Sequence, residues 1–316
     1  MKILVTGAAG FLGRRLVKAL LAGAPGLPHV SKLVAVDTAA CPIDDPRVAC
    51  KIGTITDDQF TRAIVETDVD VVYHLAAVVS GQAEAEFDLG MRVNVDATCA
   101  LLEACRPLRK PPRFVFTSTL AVFGGSLPAI VPEDVAVVPQ SSYGSEKAIV
   151  ELLVHEYSRK GFVDGISCRL PTVAVRPGTA NAAASSFVSG IIREPLACID
   201  TVCPVPLDTR LWISSPELVT ANLVHAARVQ ASDLEDRRTV NLPGLSVTPE
   251  QMLDSLERLA GAAVRARVRC ELDRHIMHIV CTWPGAFDVS RALRLGFSAD
   301  HDIDSIVRQF MASTPS

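Results

Sequence analysis

Charge of one sign is scarce in this chain. Its 316 residues carry 31 Lys+Arg against 35 Asp+Glu, a formal net charge of −4, and neither sign forms a long run. That balance gives no electrostatic reason to expect nucleic acid or an anionic membrane surface as a partner. Long apolar runs are also missing. Mean hydropathy is +0.29, yet the apolar stretches are short and broken by charge, below the roughly 18–20 residues that a spanning helix needs. No leader pattern is read, because Met1-Lys2 runs straight into Ile3-Leu4-Val5, a strand pattern. Internal repeats and low-complexity tracts are absent. The nine cysteines, at 41, 50, 99, 105, 168, 198, 203, 270 and 281, include no Cys-x-x-Cys pair and are odd in number. They read as reduced core thiols of a cytoplasmic protein, with no metal site.

What is present is a 49% hydrophobic fraction, enough for a sizeable core. In the first half, strand and helix patterns alternate. Strands are expected at 3–6, 32–37, 69–75, 113–118 and 165–170, and helices at 11–21, 60–66, 93–105 and 145–159. The run at 69–75 (VDVVYHL) is apolar without alternation, as a strand buried on both faces should be. Such βαβ units imply an α/β fold with a doubly wound parallel sheet of Rossmann type and right-handed crossovers. After about residue 170 the rhythm weakens and prolines cluster. Helices are expected at 216–229 and 249–260, strands at 239–243 and 263–271, and a frayed end at 312–316. The expected division is a dinucleotide-binding domain at 1–171, with a contribution from about 210–245, and a smaller mixed substrate-binding domain mainly at 172–316.

Between the first strand and first helix lies Gly7-Ala8-Ala9-Gly10-Phe11-Leu12-Gly13. A chain that must turn sharply and bring backbone amides to a pyrophosphate needs residues without Cβ. The helix start then offers unpaired N–H groups and the positive end of its dipole. Asp37 ends the second strand, where a carboxylate accepts both adenosine ribose hydroxyls and repels a 2′-phosphate. With no arginine between Asp37 and Arg47, NAD is favoured over NADP.

Tyr143 and Lys147 stand four apart, on one face of a helix. A free phenol, with a pKa of about 10, is a poor base. A nearby ammonium stabilises the phenolate, so the pair can accept an alcohol proton near neutral pH. Thr119, just after a strand, can hydrogen-bond the same alcohol oxygen. The expected reaction is hydride removal from a secondary alcohol. A non-enzymatic NAD-binding regulator would tolerate loss of Tyr143 or Lys147, and both are present.

TGAAGFLG at 6–13, HLAAVVSG at 74–81, VNVDAT at 93–98, FTSTLAVFGG at 116–125 and YGSEK at 143–147 occur in this order. The sequence thereby resembles the extended short-chain dehydrogenase/reductases, the superfamily that includes nucleotide-sugar epimerases and dehydratases. The resemblance covers nearly the whole chain. It implies Thr119 as the catalytic Ser/Thr, Tyr143 as base, and Lys147 as a further ligand of the nicotinamide ribose. Leu75, Ala76 and Ala77 would line the adenine-ribose side, Asn94 would also serve the cofactor, and Ser80 would lie near nicotinamide and substrate. Family members often pair through two long helices, here 93–105 and 145–159, so a homodimer is possible.

Several departures bear on the substrate. Gly53-Thr54-Ile55 replaces the family's frequent Gly-Asp-Leu, so a side-chain contact to adenine is missing. Phe123-Gly124 replaces Tyr-Gly. Thr172 stands where nucleotide-sugar members have Asn. Leu120-Ala121 stands where a dehydratase wants acidic residues. Of the later Arg-x-Phe-Ile-His-Val-x-Asp pattern Arg210 survives, while the His-Val-x-Asp part does not. Nucleotide-sugar epimerase or dehydratase chemistry with tightly bound NAD is therefore the alternative. RPGTANAAASSFVSGIIREPL at 176–196 and CPVP at 203–206 resemble a narrower subgroup that oxidises a four-carbon sugar acid at C2. For such a substrate Asn181, Ser185 and Ser186 can bond hydroxyls, and Arg176 or Arg210 can take the carboxylate through a charge-assisted pair. Trp212 and His74 read as core residues.

Overall fold

The computed structural model describes residues 1–23, 26–178 and 184–313. Seven parallel strands form the main sheet: β1 (Lys2–Thr6), β2 (Lys32–Asp37), β3 (Val48–Ile52), β4 (Val71–His74), β5 (Arg113–Thr119), β6 (Asp164–Leu170) and, later in the chain, Thr239–Asn241. Their order is Thr239–Asn241, β6, β5, β4, β1, β2, β3. The order reverses between β1 and β4, and an open α/β sheet has its crevice at such a reversal, beyond the carboxyl ends of the strands. The expected α/β doubly wound architecture is borne out.

Both sheet faces are covered. Val5, Tyr73, Val115 and Ile166 pack on one side with Leu16 and Leu20 of α1 (Phe11–Leu21). Leu4, Val72, Phe114 and Phe116 pack on the other. The helices of this first part are α2 (Asp58–Ile64), α3 (Ser80–Ala85), α4 (Phe87–Gly90), α5 (Ala97–Cys105) and α6 (Ser142–Arg159). A wide π-helical turn over Met91–Asp96 precedes α5, where the sequence pattern reads as one helix. His74 is buried, with Nδ1 2.6 Å from Thr6 Oγ1 and Nε2 2.8 Å from Thr98 Oγ1. Burial, aided by Lys147, pushes its pKa down to about 3, so it is a neutral core residue.

Beyond β6 come β7 (Thr172–Val173), α7 (Ser186–Leu196), β8 (Thr201–Cys203), β9 (Leu211–Ser214) and α8 (Pro216–Ala226). The sheet strand Thr239–Asn241 is β10, followed by β11 (Leu245–Val247), α9 (Pro249–Ala260), α10 (Ala262–Arg265) and β12 (Val268–Cys270). Helices α11 (Arg274–Val280), α12 (Ser290–Arg294) and α13 (Ile303–Ser313) close the chain. β11, β9 and β7 form a small mixed sheet, and β12 pairs with β8. A second apolar core, including Val188, Ile191, Met252, Leu256 and Phe310, holds this part together. Trp212 is buried in a separate small cluster with Phe123, Val131 and Phe287, and donates to the Leu242 carbonyl at 3.3 Å.

Some expectations are corrected. The stretch 263–271 is a helical turn and then a short strand. Helix α13 runs through residues 312 and 313, while 314–316 lie outside the described residues. The thiols are not uniformly core: Cys41, Cys105, Cys168 and Cys203 are buried, but Cys50, Cys198, Cys270 and Cys281 are exposed. Cys50 shows why. Its apolar neighbours belong to an edge strand, and no local pattern marks an edge. Among the described residues no helix is long and apolar enough to cross a membrane.

Candidate active site

A cleft of about 330 Å³ opens at the strand-order reversal. The glycine loop forms one wall. Gly7 has a φ of +71°, and a Cβ on it would lie 2.7 Å from the Ala76 amide nitrogen. Gly13 is tighter still, since its Cβ would fall 2.0 Å from the Gly7 carbonyl oxygen. Gly10 caps α1 without any side-chain hydrogen bond. The first-turn amides and the positive dipole end therefore remain available to an anion in the cleft, which Gly7, Gly10, Phe11, Leu12 and Gly13 all line.

Asp37 ends β2 beside this loop, where its Oδ2 accepts the Ala9 N–H at 3.0 Å. Arg47 is held by Asp45 and by the Leu21 carbonyl. Leu75 and Ala77 line the cleft. Ala76 does not; its side chain turns to the core on the far side of the sheet, as alternation along an extended chain requires. The glycine cradle, the helix start and the strand-end carboxylate together fit a dinucleotide.

Thr119, Tyr143 and Lys147 come together in the same cleft, with Ser80. Thr119 Oγ1 accepts the Ala121 N–H at 3.2 Å. Ser141 caps α6 by accepting the Gly144 N–H at 3.2 Å, which places Tyr143 and Lys147 in its first turns. Lys147 Nζ donates to the Thr117 carbonyl at 2.9 Å and lies 5.6 Å from the centre of the Tyr143 ring. Burial pushes Lys147 down to about 8, against the pull of Glu146 and Glu151. Burial, then the Glu146 charge, pushes Tyr143 up to about 12. The expected lowering of the phenol is therefore reversed here, because desolvation of a phenolate outweighs a cation that is itself hydrogen-bonded elsewhere.

A model of the NAD-dependent epimerase/dehydratase family matches residues 3–236. The chain belongs to this family. It is similar to the D-erythronate dehydrogenase of Cupriavidus necator, at 51% identity over 98% of both chains. It is also similar to that of Haemophilus influenzae, at 45% identity over 98% of this chain and 99% of that one. A solved structure described as a nucleoside-diphosphate-sugar epimerase from Agrobacterium tumefaciens superposes with a TM-score of 0.94 at 39% identity, covering 99% of this chain and 94% of that one. A GalE-like L-threonine dehydrogenase from Cupriavidus necator has a TM-score of 0.88 at 23% identity, covers 99% of both chains, and shows the shared fold. NAD is the cofactor of this family.

At the other end of this NAD-dependent epimerase/dehydratase cleft stand Arg176 and Ser185, both half-buried. Among the described residues Arg176 has no carboxylate partner. Burial and the neighbouring Arg193 cation lower its pKa, so an anion beside it would be strongly favoured. Arg210 is a correction. It is exposed, lies off the cleft, and donates to Ser246 at 3.5 Å. Its backbone is packed against Gly285, where a Cβ would meet Arg210 Cβ at 2.4 Å. Asn181 lies outside the described residues, and Ser186 starts α7 away from this cleft.

Asn94 is a second correction, since it stands behind the cleft rather than on it. It is buried and binds Val78 and Glu146. Two groups escaped the sequence reading. Glu146 and Glu151 are carboxylates on the buried face of α6, a visible signal because charges do not belong there unpaired. Trp283 is the one cleft residue from beyond position 185 among the described residues, and no local periodicity announces it.

Proposed function

We propose that this protein oxidises a small 2-hydroxy sugar acid at C2 with NAD, and that D-erythronate, going to 2-dehydro-D-erythronate, is its substrate. The observation that carries this reading is Arg176 facing the same cleft as Tyr143 and Thr119. A cation with no carboxylate partner among the described residues, set beside an acid–base pair, suits a substrate that is both an anion and an alcohol. The relatives named D-erythronate dehydrogenase, similar over almost their whole length, support the substrate.

NAD, when bound, supplies the hydride acceptor. The loop of Gly7, Gly10 and Gly13, with Phe11 and Leu12 in the first turn, offers backbone N–H groups to its pyrophosphate. Asp37 would accept the adenosine ribose hydroxyls, Leu75 and Ala77 would line that side, and Lys147 would hold the nicotinamide ribose. Thr119 Oγ1 already accepts from Ala121, which leaves its O–H to donate to the C2 oxygen. Tyr143 takes the C2 hydroxyl proton as the C2–H bond breaks with its electron pair leaving as hydride. The C2 oxygen becomes a carbonyl. Arg176 orients the carboxylate, and Ser80 and Ser185 bond the remaining hydroxyls.

Incubation with NAD and D-erythronate should raise absorbance at the NADH band, and silence across a panel of aldonic acids would remove this reading. The description of the Agrobacterium relative favours a second one, nucleotide-sugar epimerisation with tightly held NAD. It requires turnover of a UDP- or GDP-sugar with no net NADH. Leu120-Ala121 and Thr172 weigh against it.

In the same reading 1–171, with the β10 region, forms the cofactor-binding unit and 172–316 mainly the substrate-binding one. Helix α6 leaves Leu152 70% and Ile149 39% exposed. A second copy pairing α5 and α6 would cover them, so light scattering should give twice 33.8 kDa. Nine free thiols accord with a cytoplasmic location.

A further inference from the structure

The YGSEK stretch sets a carboxylate between tyrosine and lysine, and the mechanism above leaves it unused. Glu146 is fully buried on the side of α6 that meets α4 and the π-helical turn. Its Oε2 accepts from Asn94 Nδ2 at 2.6 Å, while Oε1 has no hydrogen-bond partner among the described residues. A Cβ on Gly90 would fall 2.2 Å from that Oε1, so a glycine there makes room for the carboxylate. Asn94 also accepts the Val78 N–H at 2.8 Å through Oδ1 and donates to the Val78 carbonyl at 3.1 Å. Val78 lies between Ala77 and the Val79-Ser80 pair, all three of which line the cleft.

A buried carboxylate is costly, and one unbonded oxygen makes it more so. A glutamine would accept the same Asn94 bond without that cost, so the charge itself needs a use. The charged groups acting on Glu146 are Lys147, next to it on α6, and Glu84 from α3. The elements on its other side present Gly90 and Asn94.

We infer that Glu146 is a positioning residue of the reaction: held by Asn94, it ties the 77–80 segment to the catalytic helix and keeps a negative charge beside Tyr143 and Lys147. This rests on the reading of those two residues as the proton-transfer pair. The charge strengthens the base, because a proton arriving on Tyr143 from the alcohol is stabilised by the carboxylate three residues on. The same charge delays deprotonation of the pair as pH rises, in keeping with the upward pull of Glu146 on both groups.

Glu146→Gln keeps shape and hydrogen bond and removes only the charge. Its pH–rate midpoint for D-erythronate oxidation should fall by about one pH unit, with a lower plateau. Glu146→Asp should keep the wild-type midpoint. Asn94→Ala, which frees Val78 but leaves the charge, should raise KM without moving the midpoint. A second readout needs no turnover. The Tyr143 share of phenolate absorbance, taken as wild type minus Tyr143→Phe, should titrate at lower pH in Glu146→Gln. If Glu146→Gln does not fold, Gly90→Ala crowds Oε1 in a helix that accepts alanine and should lower kcat. Superimposable profiles and titrations for Glu146→Gln, a midpoint shift in Asn94→Ala, or a wild-type Gly90→Ala would each overturn the inference. If the wild type oxidises no 2-hydroxy acid, the functional reading fails while the phenolate titration still judges Glu146.

Discussion

Arg169 on β6 grips Glu151 on α6 with two hydrogen bonds, Nε to Oε1 at 2.9 Å and Nη2 to Oε2 at 2.7 Å. Their side chains are only 6% and 5% exposed. Ser118 of β5 donates to the same carboxylate at 2.5 Å, and Asn241 of β10 accepts from Arg169 at 3.3 Å. The pair thus joins three sheet strands to the helix that carries Tyr143 and Lys147, one turn beyond the lysine. Glu151→Ala leaves the guanidinium buried and unpaired and should cost about 3–5 kcal/mol in urea unfolding. Combining it with Arg169→Met should recover much of that loss, since the isolated charge is then gone.

In the proposed reaction the pH dependence of turnover follows from the Tyr143–Lys147 pair. Its first proton leaves at about 8, the value to which burial lowers Lys147. Neutral amine with phenol and ammonium with phenolate carry the same charge, so the proton lost belongs to the pair and not to one residue. The pair can accept the alcohol proton only after that loss. Oxidation should therefore rise as pH increases through about 8, and the reverse reduction should fade over the same range. A kcat–pH profile that is flat from pH 6 to 10 would contradict this.

Arg176 and Arg210 separate cleanly by substitution. Arg176→Leu removes the cleft cation and should lower kcat/KM for D-erythronate by about 10–100-fold, the worth of a hydrogen bond to a charged group, mainly through KM. Arg210→Leu, exposed and off the cleft, should stay within about 2-fold, as surface changes usually do. Steady-state kinetics of both variants against the same acid give the comparison.

Trp283 packs against the second core and presents its remaining surface to the substrate end of the cleft. Trp283→Ala opens that end. The preference for D-erythronate over the six-carbon D-gluconate, measured as a ratio of kcat/KM values, should drop by about 10-fold or more, the scale of shape discrimination by a hydrophobic wall. An unchanged ratio would show that Trp283 does not set chain length.

The parts of this protein legible in its sequence are those with a local cause. The glycine loop between β1 and α1, Asp37 at the strand end and Tyr143 one turn before Lys147 each depend on neighbours within a few residues, and spacing reveals them. Strands such as β4 announce themselves because both faces are buried. Helix α7 did not, since Gly190 and Pro195 interrupt its pattern; Pro195 stands one residue before the helix end, where its missing N–H removes a single backbone bond. β3 did not either, because its exposed residues lie at the sheet edge.

Tertiary structure alone separated Arg176 from Arg210, turned Asn94 away from the cleft, and raised the Tyr143 phenol that sequence reasoning expected to fall. Each of those outcomes depends on what distant segments bring to the residue: Gly285 against the Arg210 backbone, Val78 and Glu146 around Asn94, and the removal of water from α6. The chemistry proposed for Tyr143 and Lys147 was written in five consecutive residues. Their proton affinity was decided by burial, which is a property of the folded chain.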